Sequence, residues 1–403
     1  MNGKLKGRRA FILGLGGLAG VGAFTLESKF RGENNQTQAL LALGDAPLRD
    51  RATAKGLIYG ASTQTNYEKF SQDSQFMSNF VRECALLVGI FTWRAIEPRQ
   101  GVFDFKNTDK FAKFATDNKM LFKGHPLVWY NSYPKWLIEK FQNANTKAKE
   151  IEEILVNHIS TSVGRYAGKT YMWDVVNEGI YIPDRHPDGL RDPQITANRR
   201  GQKFPDWLHY LGQDYIDIAF RAAAKADPQA LLAYNEFGLE YDREEESAKR
   251  TAVLKLLERL KSKGTPIHVL GLQGHLLRRG NEMRDFNPAK LKAFLDEVAN
   301  MGLKIMITEM DVTDQTLPKE IDVRDRIIAK AYQDFLSVVL ENPATIGVST
   351  WGLSDRYTWL SERAERNDGA AVRPLPLDAE MKRKLAWNAM ALAFDKAPRR
   401  EVR

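Results

Sequence analysis

The chain has 403 residues, 43% of them hydrophobic and 27% charged, a balance that supports a large buried core and excludes a disordered protein. A formal charge of +8 would suit a nucleic-acid binder, but residues 1–31 carry +5 of it and residues 396–403 carry +3, so the body between is neutral and that reading fails. The one cysteine, Cys84, precedes the apolar run Ala85-Leu86-Leu87-Val88; it excludes an intramolecular disulfide and reads as a buried, inert thiol.

In chain order, Met1–Phe24 reads as an export segment. Lys4, Lys6, Arg8 and Arg9 precede a stretch from Ala10 to Phe24 that holds no charge and is too short for a comfortable membrane span. The Arg8-Arg9 pair before Ala10-Phe11-Ile12-Leu13 resembles the twin-arginine signal, with Gly7 where that pattern prefers Ser or Thr, and Val21-Gly22-Ala23 offers small residues for cleavage. The expected destination is the periplasm or the outside of the cell. Residues 25–50 read as a polar linker and a lead-in helix, residues 51–395 as one folded domain, and residues 396–403 as a basic tail.

From Lys55 onward, short apolar runs alternate with longer segments of helical period. The runs are Gly56 to Ala61, Cys84 to Phe91, Met120 to Trp129, Thr170 to Val176, Ala230 to Tyr234, Ile267 to Leu272, Leu303 to Thr308 and Thr345 to Trp351. Amphipathic helices are predicted over Asp104 to Asn118, Lys149 to Tyr166, Trp207 to Ala226, Arg243 to Lys263, Pro288 to Met301 and Val323 to Glu341. Asp227-Pro228 and Gly302 mark handovers from helix to strand. Eight strands alternating with helices predict a single α/β domain, a (β/α)8 TIM barrel.

Such barrels keep their chemistry at the C-terminal ends of the strands. There the third run ends Gly124-His125-Pro126-Leu127-Val128-Trp129-Tyr130-Asn131, the fourth Asn177-Glu178, and the fifth Asn235-Glu236. The sixth ends Gln273-Gly274-His275, the seventh Glu309-Met310-Asp311, and the eighth Trp351-Gly352-Leu353-Ser354-Asp355-Arg356. A buried lone carboxylate is costly, so strands that deliver Glu178 and Glu309 at one rim predict a pocket there. Two facing carboxyls are what glycoside hydrolysis needs, one to protonate the departing oxygen and one to attack the anomeric carbon.

The segments Trp173-Asp174-Val175-Val176-Asn177-Glu178, Ile307-Thr308-Glu309-Met310-Asp311, Gly271-Leu272-Gln273-Gly274-His275 and Trp351-Gly352-Leu353-Ser354-Asp355 resemble those of glycoside hydrolase family 10, the endo-1,4-β-xylanases. The resemblance runs from about Gly56 to Asp395. Supporting matches are Glu97-Pro98 with Gly101-Val102-Phe103-Asp104-Phe105, then Gly212-Gln213-Asp214-Tyr215-Ile216 and Pro376-Leu377-Asp378. It implies a retaining endo-β-glycosidase for β-1,4-xylan or xylo-oligosaccharides, with Glu178 as acid/base and Glu309 as nucleophile. It also implies that His275 contacts the nucleophile and Asp311 holds that histidine. Asn177 would bind the sugar 2-hydroxyl, Gln273 would tune the acid/base, and His125, Trp129, Tyr130, Trp351 and Trp359 would meet substrate. The implied partner is a polysaccharide or oligosaccharide, with no cofactor, metal, nucleic acid or membrane span after signal cleavage, on a monomeric protein.

Two departures fall in the sugar-binding rim. Where the family's second strand ends Glu-Asn-Glu-Met-Lys-Trp, this chain has Val88-Gly89-Ile90-Phe91-Thr92-Trp93, and Tyr130 replaces a histidine. Lost hydroxyl-binding groups weaken discrimination at about 1–3 kcal/mol each. The rival readings are therefore a family member acting on another β-linked glycan or glycoside, and a non-catalytic glycan-binding barrel. The basic stretch Pro183 to Pro205, with Arg185, Arg191, Arg199, Arg200 and Lys203, is either a solvated loop or a wall of the leaving-group side. Trp173 reads as core, Trp136 could be core as well, and His158, His186, His209 and His268 read as structural or exposed.

Overall fold

The computed structural model describes residues 44–277 and 285–401; the stretch read as an export segment, most of the stretch read as a linker and residues 402–403 lie outside the described residues. The eight runs form eight strands: β1 (Ile58–Ser62), β2 (Leu86–Ile90), β3 (Leu121–His125), β4 (Met172–Asn177), β5 (Leu231–Glu236), β6 (Val269–Leu272), β7 (Lys304–Val312) and β8 (Thr345–Thr350). A two-residue segment, His275–Leu276, continues β6 past Gly274 and pairs with β7. Every strand pair is parallel, each strand lies beside its sequence neighbours, and β8 returns to β1, so the sheet closes into a barrel. Strands covered on both faces explain why the sequence showed continuous apolar runs rather than alternation.

Inside the barrel Leu86, Val88, Met172, Ala233, Val269 and Met306 pack together, while a larger apolar layer fills the space between strands and helices. The close approach of that outer layer dictates two glycines. A Cβ at Gly124 would stand 2.1 Å from the Trp173 ring, and one at Gly89 would stand 2.4 Å from the Phe122 ring. Trp173 is fully buried in that layer, as read, and Cys84 is buried there too, where desolvation pushes its thiol pKa well up.

Five of the six predicted helices match within about two residues, among them Lys106–Asp117, Ala148–Arg165 and Glu244–Ser262. The exception is Trp207 to Ala226. Gly212 takes φ +59° and splits it into Trp207–Leu211, a turn of 3-10 helix and Tyr215–Ala226. The lead-in helix runs Leu48–Thr53, buries Leu48, Arg51 and Ala52, and so belongs to the barrel's closed end. The tail does as well through Arg400, whose N–H donates to the Lys55 carbonyl at 2.9 Å.

Two register shifts position the chemistry. In a regular strand Asp174 and Asn177 would face opposite ways, and so would the neighbours Thr308 and Glu309. The β4–β5 pairing slips between Asp174 and Val176, and the β7–β8 pairing slips between Ile307 and Met310. Each irregularity lets both members of its pair reach the barrel interior, the usual use of a bulge beside a site.

Candidate active site

Glu309 stands inside β7 rather than at its end, and is 4% exposed. The Asn235 amide donates to its Oε1 at 2.7 Å, His125 Nδ1 lies 3.7 Å from Oε1, and His275 Nε2 lies 3.4 Å from Oε2. Burial raises its pKa, but His125, His275 and then Lys123 more than offset this and bring it down to about 2. His275 is perturbed the other way. Burial disfavours its charged form, yet Asp311 at 2.7 Å from Nδ1 and then Glu309 lift its pKa to about 9, so the ring is an imidazolium with both nitrogens donating. Asp311 in turn accepts from Trp359 Nε1 at 2.7 Å, which fixes that ring over the cleft.

Glu178 follows β4 with φ +59°, a left-handed conformation that costs about 1–2 kcal/mol for a residue with a Cβ. Its N–H donates to the Asn235 carbonyl at 2.9 Å, and its carbonyl accepts from Arg191 Nε at 3.0 Å. Gln273 Nε2 reaches Glu178 Oε1 and Asn177 Oδ1, both at 3.2 Å. Asn235 bonds to Asn177 Oδ1 at 2.8 Å as well as to Glu309, so one chain of amides connects the two carboxyls. Thr308 Oγ1 donates to Asn235 Oδ1 at 2.6 Å and sets that amide's orientation.

Two cavities meet at Glu178. One, of about 430 Å³, holds Glu309, Asn177, Gln273, His125, Trp129, Trp351 and Trp359; the other, of about 490 Å³, holds Tyr130, Tyr181, Arg191 and Tyr241. Glu178, His275 and Arg199 line both, which makes them halves of one groove. Every site residue read from the sequence therefore borders this groove except Asp311, which lies under it against His275 and Trp359. Trp129 lines the Glu309 half with a buried Nε1–H that meets no acceptor among the described residues.

Of the replaced segment at the end of the second strand, Val88, Ile90 and Thr92 line the Glu309 half, and Gly89 faces outward onto Phe122. The basic stretch is not simply solvated: Arg191 is buried against the groove and Arg199, itself exposed, borders it, while Arg185, Arg200 and Lys203 are exposed without lining it. His158 is structural, stacked 3.7 Å from the Trp93 ring centre and bonded to Glu97 at 2.8 Å; His268 accepts from the Leu232 N–H, and His209 is exposed. Trp136 is partly buried and donates to the Glu97 carbonyl at 2.9 Å.

Sequence reasoning missed the buried pair Lys123 and Asp174, both fully buried and joined by an ion pair on neighbouring strands. Asp174 also binds His125 Nδ1 at 2.7 Å and so orients the imidazole next to Glu309. The available signal was a lone charge in the middle of each of two adjacent apolar runs. Asn235 was noted at its strand end without a role, and Arg191 only as one cation of a loop. Among the described residues no group of three or more His, Cys, Asp or Glu side chains could hold a metal ion, and no helix is long and apolar enough to cross a membrane.

A closed parallel barrel with two glutamates in a groove of sugar dimensions is the architecture of a glycoside hydrolase. The sequence profile of glycosyl hydrolase family 10 matches residues 47–393, and the chain belongs to that family. It is 32% identical to endo-1,4-beta-xylanase C of Phanerodontia chrysosporium over 87% of this chain and 79% of that one. With endo-1,4-beta-xylanase B of Thermotoga neapolitana it shares 30% identity, over 78% of this chain and 83% of the relative. The crystal structure of xylanase 10B from Thermotoga maritima superposes with a TM-score of 0.74 at 28% identity, covering 87% of this chain and 98% of that one. Xylanase 10B from Thermotoga petrophila, solved with xylobiose, gives the same TM-score at 27% identity over 88% and 99% of the two chains.

Proposed function

We propose that this protein is a retaining endo-1,4-β-xylanase in which Glu309 is the nucleophile and Glu178 the acid/base. The observation that carries the assignment is the difference between the two carboxyls that share the groove. Glu309, with its pKa near 2, stays ionised beside the His275 imidazolium, as an attacking carboxylate must. Glu178 meets the neutral Gln273 amide and opens onto both halves, where a departing oxygen would lie. In the first displacement Glu309 forms a bond to the anomeric carbon while Glu178 gives its proton to the leaving oxygen. In the second, Glu178 takes a proton from water, and that water displaces Glu309 with net retention. Asn177 and His125 are placed to hold sugar hydroxyls, and Trp351 and Trp359 offer flat faces to the C–H side of the ring.

The test is hydrolysis of p-nitrophenyl β-xylobioside, β-cellobioside and xylan by the wild-type protein and two variants. Glu309→Ala is expected to reduce turnover of all of them to background. Glu178→Ala is expected to lose about 10²–10⁴-fold on xylan while sparing the aryl glycosides, whose leaving groups need no proton. Full activity in Glu309→Ala would refute the assignment. Val88, Ile90 and Thr92 favour a second reading, a different β-linked glycone, and turnover of cellobioside faster than xylobioside would select it.

The Arg8-Arg9 segment supports export as a folded protein. Replacing both arginines by lysine is expected to leave the protein in the cytoplasm, and unchanged export of that variant would exclude the twin-arginine route.

A further inference from the structure

Two guanidinium groups, those of Arg191 and the exposed Arg199, stand in the Tyr130 half of the groove, and neither forms an ion pair with a carboxylate among the described residues. Arg191 is 6% exposed. Its central carbon lies 4.0 and 4.1 Å from the Tyr130 and Tyr181 ring centres, and its Nε donates to the Glu178 carbonyl. Aromatic faces and one carbonyl attract a cation without neutralising it, and the low-dielectric setting strengthens its pull on any anion that enters. Arg199 lies over the Trp129 ring at 5.3 Å, and its backbone N–H is held by Asn131 Oδ1 at 2.8 Å. The buried Asn198 side chain ties the same turn by accepting from the Arg200 and Gln202 N–H groups at 2.9 and 3.0 Å.

The other charges of this half already have partners. Arg243 pairs with Glu246, Lys249 with Glu236 at 2.8 Å, and Glu240 accepts from the Gly274 and Leu239 N–H groups at 2.9 Å. Glu245 has interactions of its own. Among the described residues, the guanidinium charge without an ion-pair partner therefore stands next to Glu178, where the first sugar of the leaving group would sit, with the buried Asp206 carboxylate acting on Arg191 only through space.

We propose that the leaving-group half of this groove recognises a carboxylate on the glycan, as on a xylo-oligosaccharide bearing a uronic acid side group. Arg199 makes the contact, and Arg191 adds its charge from beneath. A planar guanidinium offers a carboxylate two parallel N–H donors, which a neutral hydroxyl cannot use equally. The inference deepens the xylanase reading and relies on it only for which half takes the leaving group.

The experiment compares a neutral xylo-oligosaccharide with one of the same length carrying a glucuronic acid branch. Affinities are measured by titration calorimetry on Glu309→Gln, so that nothing is consumed. The acidic ligand is expected to bind up to about tenfold tighter at low salt, with the preference shrinking as salt is added. Arg199→Ala in that background is expected to bring the ratio to about one, and Arg199→Lys to keep part of it. Equal affinities, no binding of the acidic ligand, or a preference untouched by Arg199→Ala would overturn the proposal. Hydrolysis of the neutral ligand by the wild-type protein is scored separately, so failure of the xylanase reading shows there and leaves the affinity ratio to decide this one.

Discussion

At the scale of single residues, Glu309 gives up hydration on entering the groove, and His275, His125 and Lys123 replace it with positive charge. The same contact works on His275, and the two shifts describe one interaction that must be weighed once. Because the folded pKa of His275 is lifted from 6.5 to about 9, its stabilisation is complete below pH 6.5 and is lost as pH rises through about 9. Glu309 acts at the other end: its folded pKa falls from 4.5 to about 2, so its contribution is present above pH 4.5 and disappears as pH drops toward 2. His275→Gln is accordingly expected to lower the melting temperature most at pH 6 and least at pH 10. Melting curves at several pH values check it, and a constant offset from pH 6 to 10 would mean the ring is neutral in the folded protein. The alkaline limb of kcat/KM should follow the same group, because a neutral imidazole no longer holds the charge of Glu309, the proposed nucleophile.

At the scale of elements, Lys123 on β3 and Asp174 on β4 form a charge pair with no access to water, and His125 shares the aspartate. Such a pair adds little net stability while intact, but removing one partner strands the other at a cost of about 3–5 kcal/mol. Lys123→Met should destabilise by that order, and adding Asp174→Asn to it should recover a large part. Denaturant titrations of the two single variants and the double complete the cycle, and additive losses would show that the pair is not coupled. This pair also marks where legibility ended. The strands and most helices could be read because apolar runs and 3.6-residue periods are local properties. Lys123 could not be given a partner, because Asp174 lies beyond the intervening helix Ala148–Arg165 and only the pairing of β3 with β4 brings them together. The bulges were equally hidden, since Thr308 and Glu309 look like ordinary alternation until β8 is laid against them. The break at Gly212 was within reach, and a periodic pattern on both sides outweighed one glycine. Of the groove, the residues at the strand ends were legible, whereas Arg191 was not, because its burial depends on two tyrosines from different loops.

For the whole molecule, the groove occupies one end of the barrel and a clasp between the ends of the chain holds the other. Glu83, 2% exposed, accepts from the Leu48 N–H at 2.9 Å and from Trp387 Nε1 at 3.0 Å, and pairs with Arg383 at 3.1 Å. One carboxylate thus joins the lead-in helix, the loop before the last helix and that helix, Leu385–Lys396, which buries Trp387, Met390 and Phe394. Arg383 also lies over the Trp387 ring at 3.7 Å, and Arg51 pairs with Asp395. In Glu83→Ala two buried donors lose their acceptor, at about 1–3 kcal/mol each. Those contacts lie on the far side of the barrel from Glu178 and Glu309, so kcat/KM at 25 °C is expected to change less than twofold while the melting temperature drops by several degrees. Hydrogen exchange should locate the loss, with protection falling first over residues 48–56 and 385–397 and last in β4 and β7. Equal loss in β4 and β7 would show instead that the clasp and the groove open as one unit, and that the geometry around Glu309 is only as stable as the contact between the ends of the chain.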